Sequence, residues 1–257
     1  LPRTTLCISP TFLFAQYSSR TCTMPTTDVN DIVIPNNMTD RVLVVCPKKK
    51  RVTITASTAR EIPKTLRRCN GRGQSADVFV KLPEFQTSVG NAAFEGCDKI
   101  TAIKIPKGIG RIGIDAFAGC TGLTAIEIPD SVMAIDAGAF AGCTGLSTIS
   151  IPPSVATIGI GAFRGCTQLE SILIPAGRIC NIGEFAFAEC KALSSFLIPA
   201  NIIEIQNGTF LGTALTSIEI PQGVHNIASF AFEKCSKLVS IQIPSSVKWI
   251  GRHAFWE

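Results

Sequence analysis

Residues Ile126–Phe140, I-E-I-P-D-S-V-M-A-I-D-A-G-A-F, recur with changes to the end of the chain. Phenylalanine marks the beat at Phe94, Phe117, Phe140, Phe163, Phe187, Phe210, Phe232 and Phe255, with gaps of 23, 23, 23, 24, 23, 22 and 23 residues. Three residues later stands Cys97, Cys120, Cys143, Cys166, Cys190 or Cys235, with Thr213 as the exception. A proline closes each strand segment: Pro83, Pro106, Pro129, Pro152, Pro175, Pro199, Pro221 and Pro244. A fixed period of this size is the signature of a solenoid.

Within the unit, Ile126 and Ile128 alternate with Glu127. That is the period-2 pattern of a strand with one buried face. β-Branched isoleucine suits a pleated, half-buried surface, and Pro129, lacking an N–H, suits the strand's end. Val132 and Ile135 form a second, shorter extended run. Ala139 and Phe140 lead into a tight turn, expected as one turn of helix broken by Gly142. The Leu, Ile, Val, Ala, Phe and Cys positions all point inward. No unit can bury that set alone, so stacked units must bury one another's faces. Unit five gains a residue within Pro175–Phe187 and unit six loses one within Phe210–Leu215. Both changes fall between strands, where a coil is expected to absorb them.

The unit L-x-x-I-x-I-P…I-G-x-x-A-F-x-G-C resembles the BspA-like class of leucine-rich repeats. The resemblance runs from Pro83 to Glu257, as seven full units and a truncated eighth. It implies a mainly β, curved, right-handed solenoid of about eight coils, with the L-x-x-I-x-I strands on the concave side. It further implies a binding or adhesion role and no enzyme activity. It transfers no functional residue, because the motif consists of core positions.

The chain has 257 residues, of which 46% are hydrophobic and 17% charged, so a sizeable core is expected. No apolar run approaches the ~18 residues of a membrane helix. Residues 1–24 read as a poorly ordered leader, or as sequence ahead of a start at Met24; the apolar run Leu6–Ala15 after Arg3 only faintly suggests a signal peptide. Residues 25–82 lack the beat. Short strands are expected at Asp31–Ile34, Val42–Cys46, Arg51–Thr55 and Val78–Lys81. This segment reads as an N-terminal cap over the first coil of the 83–257 solenoid, since capping units are atypical. The alternative is one or two decayed repeats, because Ile32-Val33-Ile34-Pro35 matches the strand's ending.

Charge divides at that boundary. Residues 1–82 carry 13 Lys/Arg against 5 Asp/Glu, while residues 83–257 carry 11 against 14. Basic clusters lie at Lys48, Lys49, Lys50 and Arg51, and at Arg67, Arg68 and Arg72. The run P-K-K-K-R resembles a nuclear-import signal, and the same charges could weakly bind an acidic polymer. The blander reading is a solvated hairpin turn. No aromatic residues interleave, so base stacking is not indicated.

Other motifs dissolve on inspection. Gly108–Gly113 spells G-x-G-x-x-G after a strand, but Gly108 aligns with Ser131, Ser154, Asn201 and Ser246, which makes it a repeat turn and no cofactor site. Six of the eleven cysteines are locked to the repeat and form a column. Inward thiols in a column pack as small hydrophobes, and Thr213 in the same slot supports packing over pairing. No C-x-x-C occurs, so no zinc site is expected. Reduced thiols favour an intracellular, cytoplasmic or nuclear, setting over a secreted or cell-surface one; the sequons Asn37-Met38-Thr39 and Asn207-Gly208-Thr209 speak weakly against it. His225 and His253 fall at outward positions and read as surface histidines.

The leading functional expectation is a non-catalytic protein-interaction scaffold. Its candidate partner face is the outward I-x-I column: Lys104, Glu127, Ser150, Leu173, Leu197, Glu219 and Gln242. Leu173 and Leu197 form its apolar centre, on strands expected to be neighbours, with Ser150, Glu170 and Glu219 around them. The alternative is a nuclear or polyanion-binding protein that acts through the basic cap. The sequence ends two residues after Phe255, before a further strand, so an open end near Trp249 or Trp256 is expected. Open strand edges invite end-to-end self-association, unless the sequence is a piece of a longer solenoid.

Overall fold

The computed structural model describes residues 32–33, 54–55, 78–81, 87–98, 100–174 and 178–257. Each repeat makes one coil with three sides. We number the coils 1 to 8 by Phe94, Phe117, Phe140, Phe163, Phe187, Phe210, Phe232 and Phe255.

The I-x-I segments form the first strand face. Strands Val78–Lys81, Ile100–Lys104, Ala125–Glu127, Thr148–Ser150 and Ser171–Leu173 make one sheet; Ser217–Glu219 and Ser240–Gln242 make another. Their pairing is parallel, with Ile149 opposite Ile172 and Ile218 opposite Ile241, and its register shifts once, between Val78 and Phe79. The middle residue of each triplet is buried and its flanks are exposed in Ala125–Glu127, Thr148–Ser150 and Ser217–Glu219. The V-x-x-I segments form the second strand face. It holds five paired two-residue strands, from Ser88–Val89 to Asn181–Ile182, and a separate group of three, Glu204–Ile205, Asn226–Ile227 and Trp249–Ile250.

The third side is a turn edge. No helix occurs among the described residues, so the expected helical turn at Ala139–Phe140 is replaced by something else. Amides alternate in their partners. Ala139, Ala141 and Cys143 donate to carbonyls three residues back, as in a 3₁₀ turn, whereas Gly138, Phe140 and Gly142 donate to Ile160, Ala162 and Arg164 of the next coil at 2.7–2.8 Å. A helix would spend every amide internally; here half of them tie coil to coil. The backbone manages this by turning left-handed two residues before and two residues after Phe. Gly138 and Gly142 have φ of 62° and 69°, a region open to glycine at little steric cost. The same two positions hold Phe185 and Glu189 in coil 5, and Phe230 and Lys234 in coil 7, all at positive φ.

The core is one column per inward position. All eight phenylalanines stack in sequence, with centroid steps from 5.2 to 5.8 Å and interplanar angles of at most 13°. Such pairs add about 0.5–1.5 kcal/mol each beyond area burial. Every repeat cysteine is buried, and none of them is in a disulfide. Each of Cys120, Cys143, Cys166, Cys190 and Cys235 donates its S–H to the phenylalanine carbonyl one coil back, at 3.0–3.2 Å. The thiol is therefore a hydrogen-bonding group as well as a packing group.

Three of the expected cap strands have described cores. Ile32–Val33 and Ile54–Thr55 pair in parallel, Ile32 opposite Ile54, and Val78–Lys81 adds to the first face beside Ile100–Lys104. Parallel pairing about one repeat length apart is what a decayed repeat would give. The leader, the Val42–Cys46 strand and the basic turn lie outside the described residues.

Candidate functional site

The first strand face presents every candidate partner residue to solvent: Lys104, Glu127, Ser150, Leu173, Leu197, Glu219 and Gln242. Strand register aligns six of them, in a row of four and a pair. Lys104 lies opposite Glu127, Glu127 opposite Ser150, Ser150 opposite Leu173, and Glu219 opposite Gln242. Leu173 and Leu197 are 67% and 69% exposed.

One part of the expectation fails. Leu173 and Leu197 do not sit on paired strands. The first sheet ends at Ser171–Leu173 and pairing resumes only at Ser217–Glu219, so Leu197 occupies a coil segment without a strand. The cause lies in its neighbour. Where other repeats carry Ile at the buried centre of the triplet, this one carries Phe196. Its ring wedges between Phe187 and Phe210, 4.9 Å from each and tilted or edge-on to them. The Phe187–Phe210 step is correspondingly the widest in the stack, 5.8 Å. Surplus core volume moves backbone. The one-residue changes in units five and six flank this position, and the coil does not absorb them silently.

Sequence reasoning also missed half of the face. Strand residues two apart share a side. Hence the residue before each I-x-I core points outward as well: Ala125, Thr148, Ser195, Ser217 and Ser240 are exposed and Ser171 half-buried. Thr148 lies opposite Ser171 and Ser217 opposite Ser240. The face is thus two columns wide, with a hydroxyl column beside the varied one. The signal was legible in the L-x-x-I spacing, whose second x falls in that column.

The other sequence candidates resolve individually. Gly108–Gly113 runs into the two-residue strand Arg111–Ile112 and on into the turn edge, with no helix to receive a phosphate. Arg111 instead pairs with Asp136 of the next coil at 2.5 Å, and that carboxylate raises the Arg111 pKa through its hydrogen bond and charge. His225 is exposed. His253 is not the free surface residue expected: it is half-buried, stacked on Phe230 at 5.7 Å and edge-on to Trp256 at 5.2 Å. In the sequon at Asn207, the Thr209 hydroxyl is buried and donates to the Gln206 carbonyl, while the Asn207 amide donates to Glu184. Folded, that triplet is engaged. Trp249 and Trp256 are both exposed. Lys48, Lys49, Lys50, Arg51, Arg67, Arg68 and Arg72 lie outside the described residues, as does Asn37-Met38-Thr39. Among the described residues no group of three or more His, Cys, Asp or Glu could hold a metal ion. No helix there is long and apolar enough to cross a membrane.

Comparison with known proteins follows the same geometry. The family model described as BspA type leucine rich repeat region matches in six copies, over residues 87–213 and 171–257. A leucine-rich repeat protein from Bacteroides ovatus is 36% identical with a TM-score of 0.64, covering 67% of this chain and 47% of that one. The chain therefore spans about half the length of that protein. The T. pallidum leucine rich repeat protein is 28% identical with a TM-score of 0.51, covering 81% of each chain. The pneumococcal vaccine antigen PcpA shares the fold at 17% identity and a TM-score of 0.53, covering 89% of this chain and 75% of its own. No curated protein matches the chain.

Proposed function

The chain belongs to the BspA-type leucine-rich repeat family of interaction scaffolds, and on that premise we propose that it is a non-catalytic scaffold binding a protein partner on its first strand face. The observation that carries the reading is the exposure of Leu173, on the last paired strand before the break, and of Leu197, on the unpaired segment after it, in an otherwise polar face. An apolar centre with Ser150, Glu170 and Glu219 around it has the composition of an interface core with a polar rim. Leu173 is held on a paired strand before the partner arrives, which lowers the entropic cost of binding on its side of the face. Solenoids use extended surfaces of this kind.

The test is a double substitution, Leu173→Glu with Leu197→Glu. Both side chains point to solvent, so the melting curve should stay within a degree or two of the wild type. Proteins captured by the wild-type chain, once identified, should bind the variant at least tenfold more weakly, which corresponds to about 1.4 kcal/mol. Unchanged binding with an unchanged melting curve would remove this face from consideration.

A further inference from the structure

We infer that the step between coils 5 and 6 is a hinge, pinned along the turn edge and open along both strand faces. On the second strand face every other step carries the same pair of backbone bonds. Met133 and Ala156 donate to Gly110 and Met133, Asp136 and Gly159 to Ile112 and Ile135, and His225 and Ala228 to Ile203 and Ile205, at 2.8–2.9 Å. Among the described residues, the equivalent bonds from Ile203 to Cys180 and from Gln206 to Ile182 are missing, and the strands Asn181–Ile182 and Glu204–Ile205 belong to different sheets. On the first strand face the sheet stops at Ser171–Leu173 and pairing resumes only at Ser217–Glu219. Both ladders fail together at the step between coils 5 and 6; between coils 6 and 7 only the first fails, and there Thr216 still donates to Ser194 at 3.1 Å.

The turn edge does not fail there. Phe185, Phe187 and Glu189 donate to Asn207, Thr209 and Leu211 at 2.9, 2.9 and 2.7 Å, as at every other step. Extra ties cross the same step on the same edge. The Asn207 amide donates to Glu184 Oε1 at 3.1 Å. The Phe185 ring lies so closely over Gly208 that a Cβ there would sit 2.3 Å from its Cε1. Phe185 holds a left-handed φ of 55°, which costs a bulky residue about 1–2 kcal/mol, and its position lets that ring reach across the gap. Sub-global opening follows the boundaries where backbone bonds are fewest. Hinges concentrate the rotation in a few residues between rigid blocks. Coils 1–5 and 6–8 are those blocks, and rotation about the turn edge changes the separation of Leu173 and Leu197.

Dipolar EPR on the full chain tests this, with spin labels on an encoded keto amino acid so that the native cysteines stay untouched. A Thr148/Ser217 pair spans the step on the first strand face. An Ala102/Ser171 pair covers as many coils without crossing it, and an Ala141/Leu211 pair crosses it on the turn edge. The Thr148/Ser217 distance distribution should be wider than both others. Equal widths for the two strand-face pairs would overturn the hinge, and a turn-edge pair as wide as Thr148/Ser217 would overturn the pin. Amide hydrogen exchange gives an independent reading: Ile203 and Gln206 should exchange faster than Ala156 and Gly159, and equal protection would show the gap closed in solution. Neither measurement involves a partner, so their outcome is separate from that of the Leu173/Leu197 substitutions.

Discussion

The Cys166 thiol donates a hydrogen bond to the Phe140 carbonyl at 3.1 Å, and the same carbonyl accepts the Cys143 amide at 3.2 Å. The thiol thus fills a second lone pair that would otherwise be buried without a donor. The Cys143 amide stays on that carbonyl without the thiol, so losing the S–H bond costs no more than a typical net hydrogen bond, about 0.5–1.5 kcal/mol. Thr213 fills the slot differently: its hydroxyl donates to the Phe210 carbonyl of its own coil at 2.9 Å, not to one a coil back. Cys166→Val should therefore destabilise by about 0.5–1.5 kcal/mol. The urea midpoint of this variant checks the figure; an unchanged midpoint would reduce the cysteine column to packing alone.

Burial pushes the Cys190 thiol up to about 12, and drives Cys143, Cys166 and Cys235 upward for the same leading reason. In the unfolded chain these thiols ionise near pH 8.5. Above that value the unfolded state gives up protons that the folded state keeps, so stability falls as pH rises. Below it, the contribution is fully present. The urea midpoint should hold steady up to about pH 8 and decline from about pH 9 towards 12. A Cys143→Thr, Cys166→Thr, Cys190→Thr variant should show a shallower decline than the wild type, and parallel declines would contradict the assignment.

The raised pKa also governs reactivity, because the thiolate is the nucleophile. In native protein at pH 8, Cys143, Cys166 and Cys190 should resist alkylation, and Cys120 should do so by its burial, while Cys180, which is exposed, reacts. Peptide mass spectrometry after iodoacetamide treatment reads this directly. A Cys120–Cys143 bridge in the native protein would overturn it.

Phe140 is fully buried between Phe117 and Phe163, whereas Phe255 is half-buried and stacks only on Phe232 among the described residues. Phe140→Ala should cost about 3–5 kcal/mol and Phe255→Ala distinctly less. Denaturant midpoints decide between this and a column in which every ring counts alike.

Lys234 holds a left-handed φ of 59° at a position that is glycine in five of the eight coils. Its partner Glu233 is 3.8 Å away and the lysine is largely exposed, so the pair adds little. Relief of αL strain is worth about 1–2 kcal/mol, and glycine's extra unfolded-state entropy takes back about 0.5–1. Lys234→Gly should raise stability by about 0.5–1 kcal/mol in thermal or urea unfolding. A loss would mean that its side chain makes contacts worth more than the strain.

The repeat by itself determined the coil. Ile126, Ile128, Val132, Ile135, Phe140 and Cys143 all lie in the core because identical units can bury an apolar set only against their own copies, and the alternation at Glu127 placed the first strand face outward. Exposure of the seven I-x-I residues followed from period two alone. What tertiary structure decided was continuity. The break beside Leu197 depends on how Phe196 seats between the Phe187 and Phe210 rings of neighbouring coils, which no periodicity in the sequence announces. The left-handed turns at Phe185 and Phe230 were equally hidden, since glycine and phenylalanine share that column and only the inter-coil amide bonds impose its φ. Local periodicity sets which way each side chain points. The fit between adjacent coils sets where the ladders hold, and so where two exposed leucines that look like neighbours in sequence are parted.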